Sequence, residues 1–298
     1  MDDSRWTDAD LPDLHGRSVI ITGANSGIGR VAARALARAG ASVTLAVRDV
    51  AKGEAAAASM TGTVSVRALD LANLDSVRAF AEGVSQPVDI LIDNAGVMAV
   101  PKSRTADGFE MQIGTNHLGH FALTNLILPL VGERVVVVSS ELHRRGRIDL
   151  ADLNWERRRY RAWDAYAQSK LANVLFVTEL ERRLRDVGSP VRAIAVHPGY
   201  AATNLQSHTA RRATALVMSL GNRLVAQSDV MGALPTLYGA TRDVPGGSYV
   251  GPGGFQRLRG HPVVGQASSR GRDPAMAARL WELSEQLTGI VWPFATTP

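Results

Sequence analysis

The chain has 298 residues, of which 45% are apolar and 20% are charged, a composition typical of a globular protein rather than a disordered one. It contains no cysteine, which excludes disulfides, cysteine-ligated metals and thiol nucleophiles. The net charge is +5, but aromatic residues make up only 5% of the chain and no nucleic-acid-binding motif is recognisable, so we expect no nucleic-acid partner.

Short apolar runs that predict β-strands alternate along the chain with longer segments that predict helices. The predicted strands cover 18–22, 42–47, 64–69, 88–92, 134–139, 191–196 and 248–250. The predicted helices cover 28–39, 73–82, 107–131 and 165–185. The valine run at 135–138 is typical of a strand that is buried on both faces. The alternation indicates an α/β fold in which helices cover both faces of a parallel sheet of about seven strands.

The whole chain, 1–298, is predicted to form one domain, because the last strand lies near residue 250 and no low-complexity linker interrupts the sequence. Residues 200–245 contain no predicted strand and are interpreted as a helical lid or insertion on the substrate side. Residues 255–298 are interpreted as a C-terminal extension. The oligomeric state is open at this stage, a homo-oligomer included.

Segment 22–29 reads Thr-Gly-Ala-Asn-Ser-Gly-Ile-Gly and joins the first predicted strand to the first predicted helix. Its glycines allow a tight turn and let a pyrophosphate approach the backbone, and the start of the helix offers unpaired N–H groups. The spacing differs from the Gly-x-Gly-x-x-Gly fingerprint, so an ordinary strand-to-helix turn is the alternative. Contacts to a dinucleotide are predicted for Gly23, Asn25, Ser26, Gly27, Ile28 and Gly29.

Tyr166 and Lys170 are four residues apart in a predicted helix, which places both side chains on one face. An ammonium beside a phenol lowers the phenol pKa from about 10 toward the working pH, so Tyr166 is suited to exchange a proton next to a carbonyl. The chain has 30 arginines but only three lysines, and this scarcity strengthens the case for a chemical role of Lys170.

Ser139 and Ser140 directly follow the valine run. They therefore lie at the carboxyl end of a predicted parallel strand, where open α/β sheets bind their ligands. A hydroxyl at this point can bond a substrate carbonyl, although turns and helix caps are the more common roles of paired serines.

In this order along the chain, the three motifs resemble the short-chain dehydrogenase/reductase superfamily in its compact single-domain branch, over roughly residues 15–250. Stretches 94–100, 105–110, 116–121, 169–176 and 197–199 are similar to its retinol dehydrogenase-like subgroup. The resemblance implies a Rossmann-type, doubly wound parallel sheet and a nicotinamide cofactor. It adds further cofactor contacts, namely Asp70, Leu71, Asn94, Ala95, Gly96, Tyr166, Lys170, Pro198, Gly199 and Thr203.

The resemblance also implies a catalytic set of Asn116, Ser140, Tyr166 and Lys170. Tyr166 would act as the general acid when a carbonyl is reduced, Lys170 would lower its pKa and hold the nicotinamide ribose, and Ser140 would polarise the carbonyl. Asn116 would kink its helix and support a water that relays protons to Lys170. The expected function is a nicotinamide-dependent oxidoreductase of carbonyls and alcohols. The alternative is an NADP(H)-binding sensor, which needs the glycine loop but no general acid.

The chain departs from the family pattern in two places. At Asp93 the family usually has asparagine, and the exchange is expected to alter a hydrogen bond of the loop without removing the site. The 26-residue step from Ser140 to Tyr166 carries seven arginines; we expect a solvated basic surface, with contact to an anionic partner as the alternative. His117 and His120 could ligate a metal, but no third ligand accompanies them at helical spacing, so no metal is predicted.

NADP(H) is predicted to be preferred over NAD(H). In NAD-binding folds an acidic side chain about 20 residues past the glycine loop accepts a hydrogen bond from the ribose 2′-hydroxyl. Here Val47 and then Arg48 occupy this point, and a guanidinium is suited to bind a 2′-phosphate. Asp49 is the counter-evidence, since it could turn to a 2′-hydroxyl or simply cap the loop. NAD(H) therefore stays open as the second cofactor.

The predicted substrate is an apolar aldehyde, ketone or alcohol, because apolar residues recur over 205–225 in the predicted lid. No apolar run reaches the ~18 residues that a membrane helix needs, and the acidic start of the chain has no hydrophobic stretch of a signal peptide. We therefore expect a cytoplasmic enzyme without a membrane anchor, whose partner is a small molecule.

Overall fold

A computed structural model describes residues 5–199, 228–254 and 257–294. Over these ranges one sheet is formed, in the strand order β3-β2-β1-β4-β5-β6-β7-β8. Strands β1 to β7 are parallel, and β8 pairs antiparallel with β7. The strands are β1 Ser18–Thr22, β2 Ser42–Val47, β3 Val64–Ala68, β4 Val88–Asp93, β5 Val131–Val138, β6 Arg192–Val196, β7 Tyr249–Pro252 and β8 Pro262–Gly265.

The helices in the described ranges pack on both faces of the sheet. They are α1 Gly27–Arg38, α2 Val50–Ala57, α3 Leu74–Glu82, α4 Met111–Ile113, α5 Gly119–Ile127, α6 Ala162–Asp186, α7 Asp229–Thr241 and α8 Pro274–Thr288. On one face α3, α5 and α6 bury residues such as Val77, Phe121 and Leu180. On the other face α1 and α7 bury Leu36 and Leu237. The doubly wound parallel sheet predicted from the sequence is confirmed.

Strand order reverses between β1 and β4, since the chain crosses from β3 to the far side of β1 before it adds β4. In open parallel sheets the crevice outside the carboxyl ends of the strands at such a switch point is the usual ligand site. The glycine loop follows β1, and Asn94-Ala95-Gly96 follows β4, so both predicted motifs meet at this crevice.

The seven predicted strands are all present, and the eighth was missed. Strand β8 is four residues long, begins with Pro262 and lies at the edge of the sheet. A proline cannot donate to a ladder and is confined to edge positions, so the local pattern resembles a turn more than a strand.

Helix α7 corrects part of the predicted lid over 200–245. Its residues Ala233, Leu234 and Leu237 are buried against the sheet and α1, so α7 is a core element and not a lid. The sequence pattern alone does not separate an apolar helix that covers a sheet from one that covers a pocket. Residues 200–227 lie outside the described residues, and for them the lid stays a prediction.

The predicted C-terminal extension contains β8 and α8. Helix α8 packs against α6, and its Trp281 is only 2% exposed. The indole contacts Phe121 with 4.9 Å between ring centroids and stacks on Phe176 at 5.6 Å. The extension is thus part of the core on the face formed by α5 and α6. In the ranges that the structure describes, no helix is both long enough and apolar enough to cross a membrane.

Candidate active site

The glycine loop has the backbone geometry that its residues predict. Gly23 and Gly27 have φ of +67° and +53°, a left-handed conformation that favours glycine. A Cβ on Gly29 would lie 2.4 Å from the Asn94 amide nitrogen, so this position requires glycine for close packing. A Cβ on Gly27 would have no neighbour within 4 Å, which leaves open space in front of the loop.

The start of α1 supplies the charge for an anionic group in that space. Ser26 is the N-cap residue, but its side chain makes no capping hydrogen bond. The first N–H groups of the helix are therefore directed outward with a partial positive charge, as phosphate binding requires. The open cradle and the free helix N-terminus together fit a dinucleotide pyrophosphate.

Thr22 fastens the loop after β4 to the glycine loop. Its Oγ1 accepts hydrogen bonds from the backbone N–H groups of Asn94 and Ala95, both at 2.9 Å. The Asn94 amide in turn donates to the Thr22 carbonyl at 2.8 Å. The next residue, Gly96, faces the other side of the site, where a Cβ would lie 3.0 Å from the Asn116 Oδ1 and 3.5 Å from the Lys170 Nζ.

A π-helical turn over Gly114–Leu118 joins α4 to α5, with the Gly119 N–H bonded to the Gly114 carbonyl. This irregularity agrees with the predicted kink at Asn116. The Asn116 Oδ1 accepts from the Val97 N–H at 2.8 Å, and its Nδ2 donates to the Val97 carbonyl and to Ser169 Oγ, both at 2.9 Å. Asn116 thus holds the loop after β4 against α6. Single π-helical turns within helices are frequent at functional sites.

The two adjacent serines have different roles. Ser139 is buried and donates to the Lys170 carbonyl at 2.7 Å, so its role is structural. Ser140 is half-buried; its Oγ accepts from the Leu142 N–H at 3.2 Å and lies beside the Tyr166 phenol. The Lys170 ammonium donates to the Val138 carbonyl at 2.9 Å, at the end of the same strand. Ser140, Tyr166 and Lys170 therefore meet at the carboxyl end of β5.

Burial controls the ionisation of this group. Burial raises the pKa of Tyr166 to about 12, and the bond with Ser140 partly offsets the rise. Burial lowers the pKa of Lys170 to about 8. The ammonium lies 5.9 Å from the centre of the phenol ring and bonds a carbonyl instead, so the predicted lowering of the phenol pKa is not observed here. With this pKa we expect the Tyr166 phenol to be protonated at neutral pH.

The remaining predicted cofactor contacts are distributed around the same crevice. Asp70 caps the turn after β3 by accepting from the Ala72 N–H at 2.9 Å, and Leu71 is buried. Gly199 has φ +69° and follows β6. Thr203 lies outside the described residues.

Arg48 directly follows β2, and its exposed side chain has no bonded partner in the described ranges. Asp49 is engaged, because its Oδ1 accepts from the Lys52 N–H at 3.0 Å and its Oδ2 pairs with the Lys52 ammonium at 2.8 Å. Asp49 is therefore the N-cap of α2, one of the two roles that the sequence left open for it.

Gln112 is a supporting residue that the sequence analysis missed. It is fully buried; its Oε1 accepts from the Ala99 N–H at 2.8 Å, and its Nε2 donates to the Tyr160 hydroxyl at 2.8 Å and the Ala162 carbonyl at 2.9 Å. Gln112 thus connects the loop after β4 to the start of the helix that carries Tyr166. A glutamine in an apolar helix is the only signal in the sequence, and it does not specify a partner.

The arginine-rich insertion is partly built into the molecule. Arg158 lies over the buried Trp155 ring at 3.7 Å and pairs with Asp152 at 3.4 Å. The other six arginines of the insertion are exposed, namely Arg144, Arg145, Arg147, Arg157, Arg159 and Arg161. The predicted solvated surface describes these six, whereas Arg158 is a packing residue.

Asp93 does not bond the loop that it precedes. Its carboxyl is fully buried and accepts from the Thr124 hydroxyl at 2.8 Å, on the α5 side of the sheet. Burial raises the pKa of Asp93 to about 8. Because this chain has aspartate where the family usually has asparagine, its core contains a buried titratable carboxyl.

Comparison with known proteins agrees with this geometry. The sequence pattern of the family described as short chain dehydrogenase matches residues 17–213. The chain is 44% identical to human retinol dehydrogenase 13 over 94% of this chain and 87% of that protein, and 43% identical to human retinol dehydrogenase 12 over 94% and 88%. A crystal structure of an uncharacterized protein from Mycobacterium paratuberculosis has a TM-score of 0.86 and 55% identity, and it covers 97% of this chain and 100% of its own.

A structure of a short-chain type dehydrogenase/reductase from Mycobacterium marinum shares the fold, with a TM-score of 0.64 at 24% identity over 82% of this chain and 96% of that one. The motifs of the glycine loop, the loop after β4 and the Tyr166–Lys170 helix thus stand in one crevice of a fold known from this family. The chain belongs to the short-chain dehydrogenase family, in its retinol dehydrogenase-like branch, and is an oxidoreductase that binds a nicotinamide cofactor.

Proposed function

We propose that this enzyme interconverts a carbonyl and an alcohol, that it prefers NADP(H), and that its substrate is an apolar aldehyde, ketone or alcohol. The convergence of Ser140, Tyr166 and Lys170 at the carboxyl end of β5 carries the proposal. A protonated phenol beside a hydroxyl offers two hydrogen bonds to one carbonyl oxygen.

Each of these side chains has a separate task. Hydride exchange is the chemistry that a nicotinamide supplies when bound. Ser140 orients and polarises the carbonyl, and Tyr166 donates the proton to its oxygen. The Lys170 ammonium gives one hydrogen bond to the Val138 carbonyl, which leaves two hydrogens for the ribose hydroxyls and water. Asn116 holds Val97 and α6 in register, so that the acid and the cofactor loop stay in fixed relation.

The preference for NADP(H) is argued from the end of β2. Arg48 is exposed and has no bonded partner in the described part of the chain, so its guanidinium is available for a 2′-phosphate. Both Asp49 oxygens are engaged by Lys52 and by the cap of α2, so this carboxylate is not poised for a 2′-hydroxyl. A charge-assisted pair with a phosphate is among the stronger hydrogen-bonding arrangements.

The test is kcat/KM with NADPH and NADH for the wild type and for Arg48→Ala. We expect Arg48→Ala to lose about tenfold in NADPH use, the range of one charge-assisted contact, and to keep its NADH use. Arg34→Ala, which removes another exposed arginine on α1, is the matched control and should change neither. Asp49→Asn keeps a capping residue without the charge and should leave the ratio unchanged. Equal use of both cofactors by the wild type would overturn the NADP(H) preference.

The apolar substrate is argued from Trp163. This side chain is 51% exposed, lies one helical turn before Tyr166, and meets its ring edge-on at 6.2 Å. A large exposed indole next to the general acid gives an apolar wall to the entrance of the site. A panel of aldehydes of increasing alkyl length tests the substrate class: kcat/KM should rise with chain length, and a preference for small polar carbonyls would contradict it.

A cytoplasmic location stays a prediction from the sequence, which cell fractionation tests.

A further inference from the structure

Two buried histidines, His117 in the π-helical turn and His120 in the first turn of α5, were left without a role by the sequence analysis. Each is about 1% exposed. His117 Nε2 bonds the Ser284 hydroxyl of α8 at 3.0 Å, on the side away from the crevice. His120 Nε2 bonds Thr22 Oγ1 at 2.9 Å, and its Nδ1 bonds the Asn116 carbonyl at 3.1 Å. Only His120 of the two reaches residues that form the cofactor crevice.

The direction of each hydrogen bond of His120 follows from its partners. A carbonyl only accepts, so the Asn116 carbonyl requires the proton on Nδ1. In a neutral ring Nε2 is then an acceptor, and the Thr22 hydroxyl must donate to it. Burial lowers the pKa of His120 to about 3, which keeps the ring neutral throughout the physiological range.

This direction determines what Thr22 does for the loop after β4. With its proton given to His120, the Thr22 hydroxyl has two lone pairs, and they accept the N–H groups of Asn94 and Ala95 at 2.9 Å each. The Ile92 carbonyl is the other acceptor near that proton, but at 3.5 Å it is a much weaker partner than His120. The chain from the Asn116 carbonyl to the Asn94 and Ala95 amides is therefore satisfied at every atom.

We propose that His120 is a positioning residue for cofactor binding, which sets the register of the glycine loop, the loop after β4 and the Asn116 turn through its Nδ1–H tautomer. The inference rests on the proposed use of this crevice for NADP(H). His120 touches no reacting group. It acts through Thr22 and Asn116, whose neighbours Gly23, Ala95 and Val97 line the crevice.

A spectroscopic test measures the tautomer of His120 in the wild-type enzyme, so the result does not depend on a change in the stability of a variant. Long-range proton–nitrogen correlation on histidine-labelled protein reports which ring nitrogen carries the proton. His120→Gln identifies the His120 signal by its loss. We expect Nδ1–H at neutral pH with no change down to about pH 5. An Nε2–H tautomer, or a protonated ring at pH 6, would overturn the inference.

A binding test separates positioning from stability. NADPH dissociation constants are measured by nucleotide fluorescence, and melting temperatures are measured beside them. His120→Leu and the isosteric Thr22→Val should each weaken NADPH binding about tenfold, as expected for a buried partner left unsatisfied. The double variant should bind no more weakly than either single one, because both break the same chain. His120→Gln, an amide that both donates and accepts, should recover part of the loss.

His117→Leu is the matched control, since it removes an equally buried ring that bonds α8 instead of the crevice. It should lower the melting temperature and leave the NADPH dissociation constant within twofold. Equal losses of binding in His117→Leu and His120→Leu, or additive losses in the double variant, would overturn the inference. If His120→Leu does not fold, Thr22→Val decides by the same criterion. A wild type that binds neither NADPH nor NADH would refute the proposed function itself, whereas wild-type binding with unaffected variants refutes only the role of His120.

Discussion

Tyr166 and Lys170 are 9% and 4% exposed, and burial shifts their pKa values in opposite directions, to about 12 and about 8. Both shifts favour the neutral form of the side chain, as desolvation always does. The phenol therefore keeps its proton at any working pH until a ligand changes its surroundings. This state is suited to reduction, in which the phenol gives a proton, and alcohol oxidation requires the phenolate instead.

Replacing Tyr166 by phenylalanine tests the proton donor. We expect Tyr166→Phe to lower kcat by at least ~10²-fold because the general acid is lost, while the NADPH dissociation constant stays near the wild-type value. Lys170→Ala should weaken NADPH binding and lower kcat together, since its ammonium is proposed to hold the cofactor ribose beside Tyr166. Steady-state kinetics and nucleotide fluorescence provide both readouts. Near wild-type turnover by Tyr166→Phe would contradict the mechanism.

The neighbouring serines provide an internal control for that prediction. Ser140→Ala removes a hydroxyl beside the phenol and should lower kcat. Ser139→Ala removes the buried bond to the Lys170 carbonyl and should act on stability by about 1 kcal/mol, as one hydrogen bond does. A larger loss of kcat in Ser139→Ala than in Ser140→Ala would reverse the assignment.

At the scale of elements, α8 packs on the outer side of α6, the helix that carries Tyr166 and Lys170. Trp281 stacks on Phe176, and Ser284 bonds His117. Asp273 caps α8 by accepting from the Ala275 N–H at 3.0 Å, and Pro274 occupies its first turn. The face of α6 opposite to the crevice is therefore packed by a helix that begins 88 residues after α6 ends.

Trp281 is buried and Trp163 is exposed, so replacing each of them tests core packing and substrate contact separately. Trp281→Ala should destabilise the protein by about 3–5 kcal/mol, as deletion of a buried tryptophan usually does, with kcat retained well below the melting temperature. Trp163→Ala, in contrast, should leave the melting temperature nearly unchanged and raise KM for long-chain aldehydes. Thermal melts and kinetics on the aldehyde panel measure both. A large stability loss in Trp163→Ala would contradict its placement at the entrance.

Local spacing explains why some elements were predicted and others were not. The glycine loop and the Tyr166–Lys170 helix depend on residues within eight positions of one another, so the sequence shows them directly. The partner of α8 is chosen by packing on Phe121 and Phe176, more than a hundred residues away, and no short pattern encodes that choice. The sequence analysis rejected a metal role for His120 and predicted no other, because its hydrogen-bond partner, Thr22, lies 98 residues upstream.

For the whole molecule, buried histidines make the free energy of unfolding dependent on pH. Burial lowers the pKa of four rings, to about 3 for His117 and His120, to about 4 for His197, and below its usual value for His143. Below pH 6.5 the histidines of the unfolded chain bind protons, whereas these buried rings of the folded chain stay neutral until the pH reaches their lowered pKa values. The free energy of unfolding therefore falls as the pH falls. Each ring contributes a slope of at most about 1.4 kcal/mol per pH unit.

We therefore expect the free energy of unfolding to decrease steadily from pH 7 to pH 5, measured by denaturant titration at each pH. His117→Gln should make this decrease shallower. His15 is 81% exposed, so His15→Gln is the control and should leave the slope unchanged. A flat profile between pH 7 and pH 5 would contradict the burial of the histidines.

Asp93 acts in the opposite sense. Its raised pKa lowers the free energy of unfolding as the pH rises toward 8, and Asp93→Asn should remove that loss.

Trp281 also has a consequence for how the protein is made. Domains generally fold as units from the N-terminal side during synthesis, and Phe176 leaves the ribosome 105 residues before Trp281 does. At about 5–20 residues per second, the aromatic face of Phe121 and Phe176 stays uncovered for several seconds in every nascent chain. Strands β6, β7 and β8 are synthesised within that interval, and meanwhile this aromatic face is open to chaperones and to other nascent chains. We therefore expect the yield of folded enzyme in a cell to fall when translation of residues 274–288 is slowed.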